Sequence, residues 1–161
     1  MKTYLFLLAT LISHSIHAQE VKKVSIQASG LTCSMCSNSI YKALKGLDFV
    51  DKIDANIQNS SFEITFKTNS KIDFDKLKAK VEGAGFSVAK FIATINFSNI
   101  WVNSNGSVSI GDKTLLFTDQ KGHELNGDKP VQIVDKGFVS TKEYKKNAVQ
   151  SAGVRTYHAT I

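Results

Sequence analysis

From Val21 to Ala28 the chain alternates, with Val24, Ile26 and Ala28 on one side and Lys23, Ser25 and Gln27 on the other. A period of two predicts a strand with one buried face. From Cys36 onward the spacing changes. Ile40, Leu44 and Leu47 recur at helical intervals until Gly46 and Asp48 end the run. Alternation returns in VDKIDANIQ through Ile53, Ala55 and Ile57, breaks at Asn59 and Ser60, and resumes in SFEITFK through Phe62, Ile64 and Phe66. This predicts a hairpin. Phe74, Leu77, Val81 and Ala84 then predict a second amphipathic helix, with Asp73 and Asp75 at its positive end and Gly83 and Gly85 stopping it. The stretch FSVAKFI is expected to return as a fourth strand. The order strand, helix, strand, strand, helix, strand is the split βαβ, ferredoxin-like (βαββαβ) arrangement, an antiparallel sheet with two helices on one face.

Beyond about Ala93 the helical period nearly vanishes, and short strand candidates follow one another: TINFSNIWV, SVSIG, TLLFTD, PVQIVD and RTYHATI. Turns are expected at Asn105-Gly106, Gly111-Asp112 and Asn126-Gly127, and one short helix over TKEYKKNAV. By analogy these elements suit a small β-barrel of the OB type. The chain is therefore expected to be α+β, with an N-terminal leader at 1–18, a ferredoxin-like domain at 19–92 and a mostly-β domain at 93–161.

The leader reading rests on Lys2, the apolar stretch from Tyr4 to Ile12, and the small Ala18 at the end of a polar run. This is the grammar of a secretory signal peptide. A membrane anchor is the rival, but the apolar stretch falls short of the roughly 20 residues that span a bilayer. The expectation is cleavage after Ala18, a secreted or periplasmic location by bacterial export, and no stable membrane insertion. Loss of Lys2 lowers the formal charge by one from +6. The remaining lysines are scattered, with no basic block interleaved with aromatics, which argues against a nucleic-acid partner.

An exported chain with two cysteines ordinarily carries a structural disulfide. Here only Ser34 and Met35 separate Cys33 from Cys36, so a bridge between them would remove little entropy from the unfolded state. The pair is placed for chemistry. In GLTCSMC the first cysteine leaves strand one and the second opens helix one, beside unpaired helix N–H groups that favour thiolate. Two thiolates are a soft donor pair suited to Cu(I) and other thiophilic ions, whereas structural zinc normally takes about four protein ligands. An open two-coordinate site can also be entered by a partner's thiolate. By itself a CxxC equally suits redox work or half of a zinc site.

The run GLTCSMCSNSI, followed by the element order above, resembles the heavy-metal-associated (HMA) domain family, which includes copper chaperones, metal-ATPase N-terminal modules and periplasmic mercury-binding proteins. The likeness covers about residues 20–91. It implies that Cys33 and Cys36 bind the metal, with Cu(I) first and Hg(II) or another thiophilic metal next. It places Leu31 at the family's motif methionine, beneath the loop, and Thr32 as in copper and mercury members. Phe86 falls where the family brings an aromatic or a lysine toward the metal loop, and there it could shield the site. A metal-donor or metal-acceptor protein, such as a transporter or another cuproprotein, is the implied partner.

Two other readings stand beside this one. The same CxxC could serve a thiol-disulfide oxidoreductase, although Ser34 and Met35 are not the Gly-Pro type found between such cysteines. The chain could also be a structural or adhesive secreted protein with a vestigial site. No Ser/His/Asp constellation, phosphate-binding loop or carboxylate pair stands out, so no enzyme activity is expected. His123 and His158 could extend the metal site, and Met35 could offer a thioether. For each, ordinary packing or surface exposure is the simpler expectation, and Trp101 is expected in the core.

Overall fold

The computed structural model describes residues 20–31, 33–147 and 156–161. The expected signal peptide lies outside the described residues, as does Thr32. Strand β1 (Glu20–Ser29) is followed by helix α1 (Ser34–Lys45), strands β2 (Val50–Asn56) and β3 (Ser61–Phe66), helix α2 (Phe74–Gly83) and strand β4 (Ser87–Trp101). The strand order β2-β3-β1-β4, antiparallel throughout, is that of the ferredoxin-like fold. Its buried side carries the expected alternating residues, Val24, Ile26, Phe62 and Ile64, with Ile40 and Leu44 of α1 and Phe74, Leu77 and Val81 of α2. Asp73 caps α2 by accepting the N–H of Lys76 at 3.1 Å, which satisfies one of the helix's free amide donors.

The strands that follow are β5 (Ser107–Ile110), β6 (Lys113–Phe117), β7 (Glu124–Ile133) and β8 (Thr156–Thr160), with helix α3 (Thr141–Asn147) between the last two. They do not close into the expected separate barrel. All eight strands form one sheet in the order β2-β3-β1-β4-β7-β8-β6-β5, which leaves β2 and β5 as its two edges. The physical reason is β4. Its residues Ser87 to Asn96 pair with β1 and Ile92 to Trp101 pair with β7, so the expected boundary between residues 92 and 93 falls inside a continuous strand. No glycine or proline interrupts Val88 to Trp101, and the strand runs on through the bulge between Phe97 and Ile100, where Asn99 has φ +50°.

The turn expected at Asn126-Gly127 is absent, since both residues lie inside β7. Pro130 is accommodated in β7 because β8 pairs with that strand only at Gln132 and Ile133. Around Pro130 the strand thus has the edge-like setting in which a missing N–H is tolerated. The other two turns form as expected: Gly111-Asp112 joins β5 to β6, and Gly106 has φ +81°.

One hydrophobic cluster runs through both halves, from Val24 and Leu77 to Leu115, Ile133 and Ala159. At its centre four aromatic rings close a circuit. Phe74 of α2 meets Phe91 of β4 at 5.2 Å and Tyr157 of β8 at 5.4 Å, and Phe138, in the loop after β7, meets Phe91 at 5.1 Å and Tyr157 at 5.7 Å. Such tilted and edge-on pairs add about 0.5–1.5 kcal/mol each beyond the area they bury. Trp101, expected in the core, is 66% exposed at the end of β4. Among the described residues no helix is long and apolar enough to cross a membrane.

Candidate metal centre

Gly30 leaves β1 with φ +83°, a left-handed conformation that an L side chain would strain. That turn delivers the chain to Cys33, whose extended backbone makes it the N-cap of α1. Its sulfur takes the capping role usually given to a hydroxyl or carboxylate oxygen and accepts the N–H of Cys36 at 3.3 Å. The carbonyl of Cys33 accepts the N–H of Ser37 at 3.3 Å. The first turn of α1 contains no acidic side chain, so the Cys33 sulfur is the group presented to the positive end of the helix.

The two sulfurs lie 2.7 Å apart and are not joined in a disulfide. The separation exceeds the roughly 2.05 Å of a disulfide bond. The Cys33 thiol is held below its ordinary range, chiefly by the hydrogen bond with the Cys36 side chain, then by the N–H of Cys36; partial desolvation opposes this, and the N–H of Met35 adds to it. Cys33 is exposed and Cys36 half-buried, while Met35 between them is 79% exposed. The donor set is therefore a convergent, solvent-accessible pair of soft atoms, with Cys33 shifted toward the thiolate. It fits a thiophilic ion of low coordination number better than tetrahedral zinc, which would need further ligands.

Leu31 is half-buried and packs against the core at the base of the loop. Phe86 also packs partly on the core, its N–H bonded to the Val81 carbonyl at 3.3 Å and its direction set by Gly85 at φ +91°. Strand register puts Phe86 beside the metal loop: Ser29 and Ser87 are paired, so Gly30 and Phe86 are the next residues beyond the strand ends.

The histidines are elsewhere. His123 is exposed, with Nδ1 on the Lys121 carbonyl at 3.1 Å. His158 is buried in β8, where the Asp135 carboxylate receives its backbone N–H at 2.9 Å and contacts its Nδ1 at 2.7 Å. Among the described residues no group of three or more His, Cys, Asp or Glu side chains is assembled to hold a metal.

Two features escaped sequence reasoning. The first is that Cys33 is itself the cap; a serine, threonine, aspartate or asparagine is the usual signal for one. The second is that the segment after β7 comes to the metal-loop end of the sheet. Lys136, Ser140 and Tyr144 share a cavity of about 340 Å³ with Ser29, Glu82 and Ser87. No local pattern encodes contacts between residues so far apart in the chain.

Residues 25–87 match the family model of the heavy-metal-associated domain. A copper-transporting ATPase of Helicobacter pylori is 35% identical over 71 residues, covering 44% of this chain and 9% of the ATPase. A probable copper-exporting P-type ATPase of Archaeoglobus fulgidus is 29% identical over 72 residues, again 9% of its length. The chain thus spans about a tenth of the curated relatives it matches. Among solved structures, the CopZ metallochaperone is 25% identical, covered in full by 45% of this chain, with a TM-score of 0.38. Oxidised MerP from Ralstonia metallidurans is 29% identical, with 44% of this chain and 97% of that one covered and a TM-score of 0.38. With its element order, its strand order and its CxxC at the mouth of α1, the segment 25–87 belongs to the heavy-metal-associated domain family.

Proposed function

We propose that this chain is an exported carrier of a soft metal ion, Cu(I) before Hg(II), which it binds through Cys33 and Cys36 and passes on by ligand exchange. The observation that carries the reading is the convergence of two unbridged cysteine sulfurs at the N-terminus of α1, one of them lowered in pKa. The copper ATPases among its relatives support copper as the cargo.

Loading replaces two thiol protons with one metal ion, so affinity rises with pH until both sulfurs are ionised. Transfer begins when a sulfur of the partner adds to the open side of the ion. One of the chain's own sulfurs then leaves, and a second exchange completes the hand-over. No electron moves, and the ion keeps two or three sulfur ligands throughout. The exposure of Cys33 and Met35 supplies the access this needs. Phe86, packed beside the loop, limits water on the opposite side.

Export follows from the leader at residues 1–18, and the partner is a protein with its own soft donors, a transporter or another copper protein. The reading includes no catalysis. The thiol pair also favours a second reading, thiol-disulfide exchange, because an exposed thiolate close to another sulfur is a good nucleophile. A competitive metal titration of the reduced chain, run beside a disulfide reductase assay, separates the two. Stoichiometric metal binding without turnover supports the carrier; turnover without metal supports the redox enzyme.

A further inference from the structure

Helix α2 has three stripes. Phe74, Leu77 and Val81 face the core. Lys76, Ala79, Lys80 and Gly83 border an open cleft toward Ser39 and Ala43 of α1. The third stripe is gripped by the part of the chain beyond the family match.

The grip runs the length of the helix and begins before it. Asp112, in the β5–β6 turn, pairs with Lys71 at 2.8 Å just ahead of α2. Lys113 lies over the Phe74 ring at 5.6 Å. The Tyr157 hydroxyl donates to the Asp75 carboxylate while its ring packs on Phe74. One turn further, Lys78 lies over the Phe138 ring at 5.3 Å, and Gly137 sits against Lys78 and Glu82 so closely that an added Cβ would come within 3.2 Å of the lysine side chain. Within α2, positions 75, 78 and 82 recur at three- and four-residue intervals and so share one face. The β4 strand joins the same two halves through the backbone, with Ile92 to Asn96 paired on both sides.

We propose that the C-terminal half is an intramolecular clasp on α2, so that the whole chain unfolds as one cooperative unit and a perturbation at the α1 end of the metal-binding segment is felt at Trp101. The hydrophobic cluster does not divide at residue 92 but continues from the ferredoxin-like segment into the C-terminal half. Coupling of this kind gives the metal site a reach beyond its own segment. A ligand that binds only the folded state stabilises every element that unfolds with it. This consequence, unlike the clasp itself, rests on the metal-carrier reading.

The test uses the full mature chain in the reduced state and its one tryptophan, Trp101, which lies in the β4–β7 ladder opposite Glu124. Urea unfolding is followed by Trp101 fluorescence and by far-UV circular dichroism, for the wild type and for Ile40→Val. Ile40 is a buried residue of α1 and is none of the clasp residues named above. The expected result is one transition with coincident midpoints, both lowered by roughly 0.5 M in the variant. A variant too unstable to fold should lose its native Trp101 signal as well, which also supports the proposal. A Trp101 midpoint unmoved by Ile40→Val, with a biphasic dichroism curve, overturns it.

A second arm adds one equivalent of Ag(I), a redox-stable stand-in for Cu(I), with bound silver measured by equilibrium dialysis. Bound silver that raises the Trp101 midpoint supports the coupling; bound silver that leaves it unmoved overturns it. Failure to retain silver would count against the metal reading instead, and the Ile40→Val result would still decide the clasp.

Discussion

The hydroxyl of Tyr157, in the last strand, donates a hydrogen bond to the carboxylate of Asp75, in the first turn of α2. The two residues are 82 positions apart, and the bond ties the end of the chain to the metal-binding segment. Tyr157→Phe keeps the ring in its aromatic circuit and removes only the donor. We expect a loss of about 1–2 kcal/mol and a fall in Tm of several degrees, read by thermal unfolding, with Cu(I) stoichiometry unchanged.

Gly106 has φ +81°, and a Cβ built on it would collide with the carbonyl oxygen of Phe117. That carbonyl belongs to the residue whose own N–H bonds the Gly106 carbonyl at 2.9 Å, so the contact cannot open without breaking the turn. Gly106→Ala should therefore cost more than the roughly 1–2 kcal/mol of the left-handed backbone alone, whereas an alanine at the open Gly122 should cost only the backbone strain. Parallel thermal melts of the two variants check this difference.

Much of the first ninety residues was legible, because alternation and helical spacing there are uninterrupted and the turns carry glycine, asparagine or serine. Val24 and Ile26, Ile40 and Leu44, and Phe74, Leu77 and Val81 are all buried as their spacing predicts. What misled was the second half of β4. The residues from Val88 to Trp101 contain no glycine or proline, yet the change in texture after Ala93 suggested a new domain. The partner of each β4 residue is set by long-range pairing with β7, which a local pattern does not carry. The Asn126-Gly127 pair illustrates the same limit. It is a strong turn signal, but β4 supplies partners on either side of it, Asn96 for Asp128 and Ile100 for Leu125, and the strand continues past a bulge. At the site, the CxxC and its place before α1 were legible, whereas the role of the Cys33 sulfur as a cap was not.

The Asp112 carboxyl is held well below the usual carboxylate range by hydrogen bonds from Lys113 first and Lys71 second. A carboxyl depressed in the folded state contributes stability that is complete above its unfolded value, near pH 4, and is lost as the pH falls through the folded value. Asp112→Asn should accordingly lower Tm at pH 7 by a small amount, since exposed ion pairs contribute little. The gap between wild type and variant should shrink below about pH 4 and in high salt. Melts across pH and ionic strength test the sign.

The lowered Cys33 thiol should alkylate with a pH midpoint below the roughly 8.5 of an unperturbed cysteine. In Cys36→Ala the side-chain hydrogen bond, the largest cause of the shift, is gone, and the midpoint should climb back toward that value. Iodoacetamide rates measured from pH 5 to 10 on the reduced chain give both curves. Equal midpoints in the two proteins would show that the neighbouring sulfur does not tune Cys33.

The most direct test of the central claim is a competitive Cu(I) titration of the reduced chain, beside Cys33→Ser, Cys36→Ser and the double variant. The account predicts one Cu(I) per chain. Each single variant should lose more affinity than the roughly 10–100-fold that removal of an outer partner costs a metal site, and the double variant should not compete at all. Wild-type affinity retained in the double variant, or no copper bound by the reduced wild type, would contradict it.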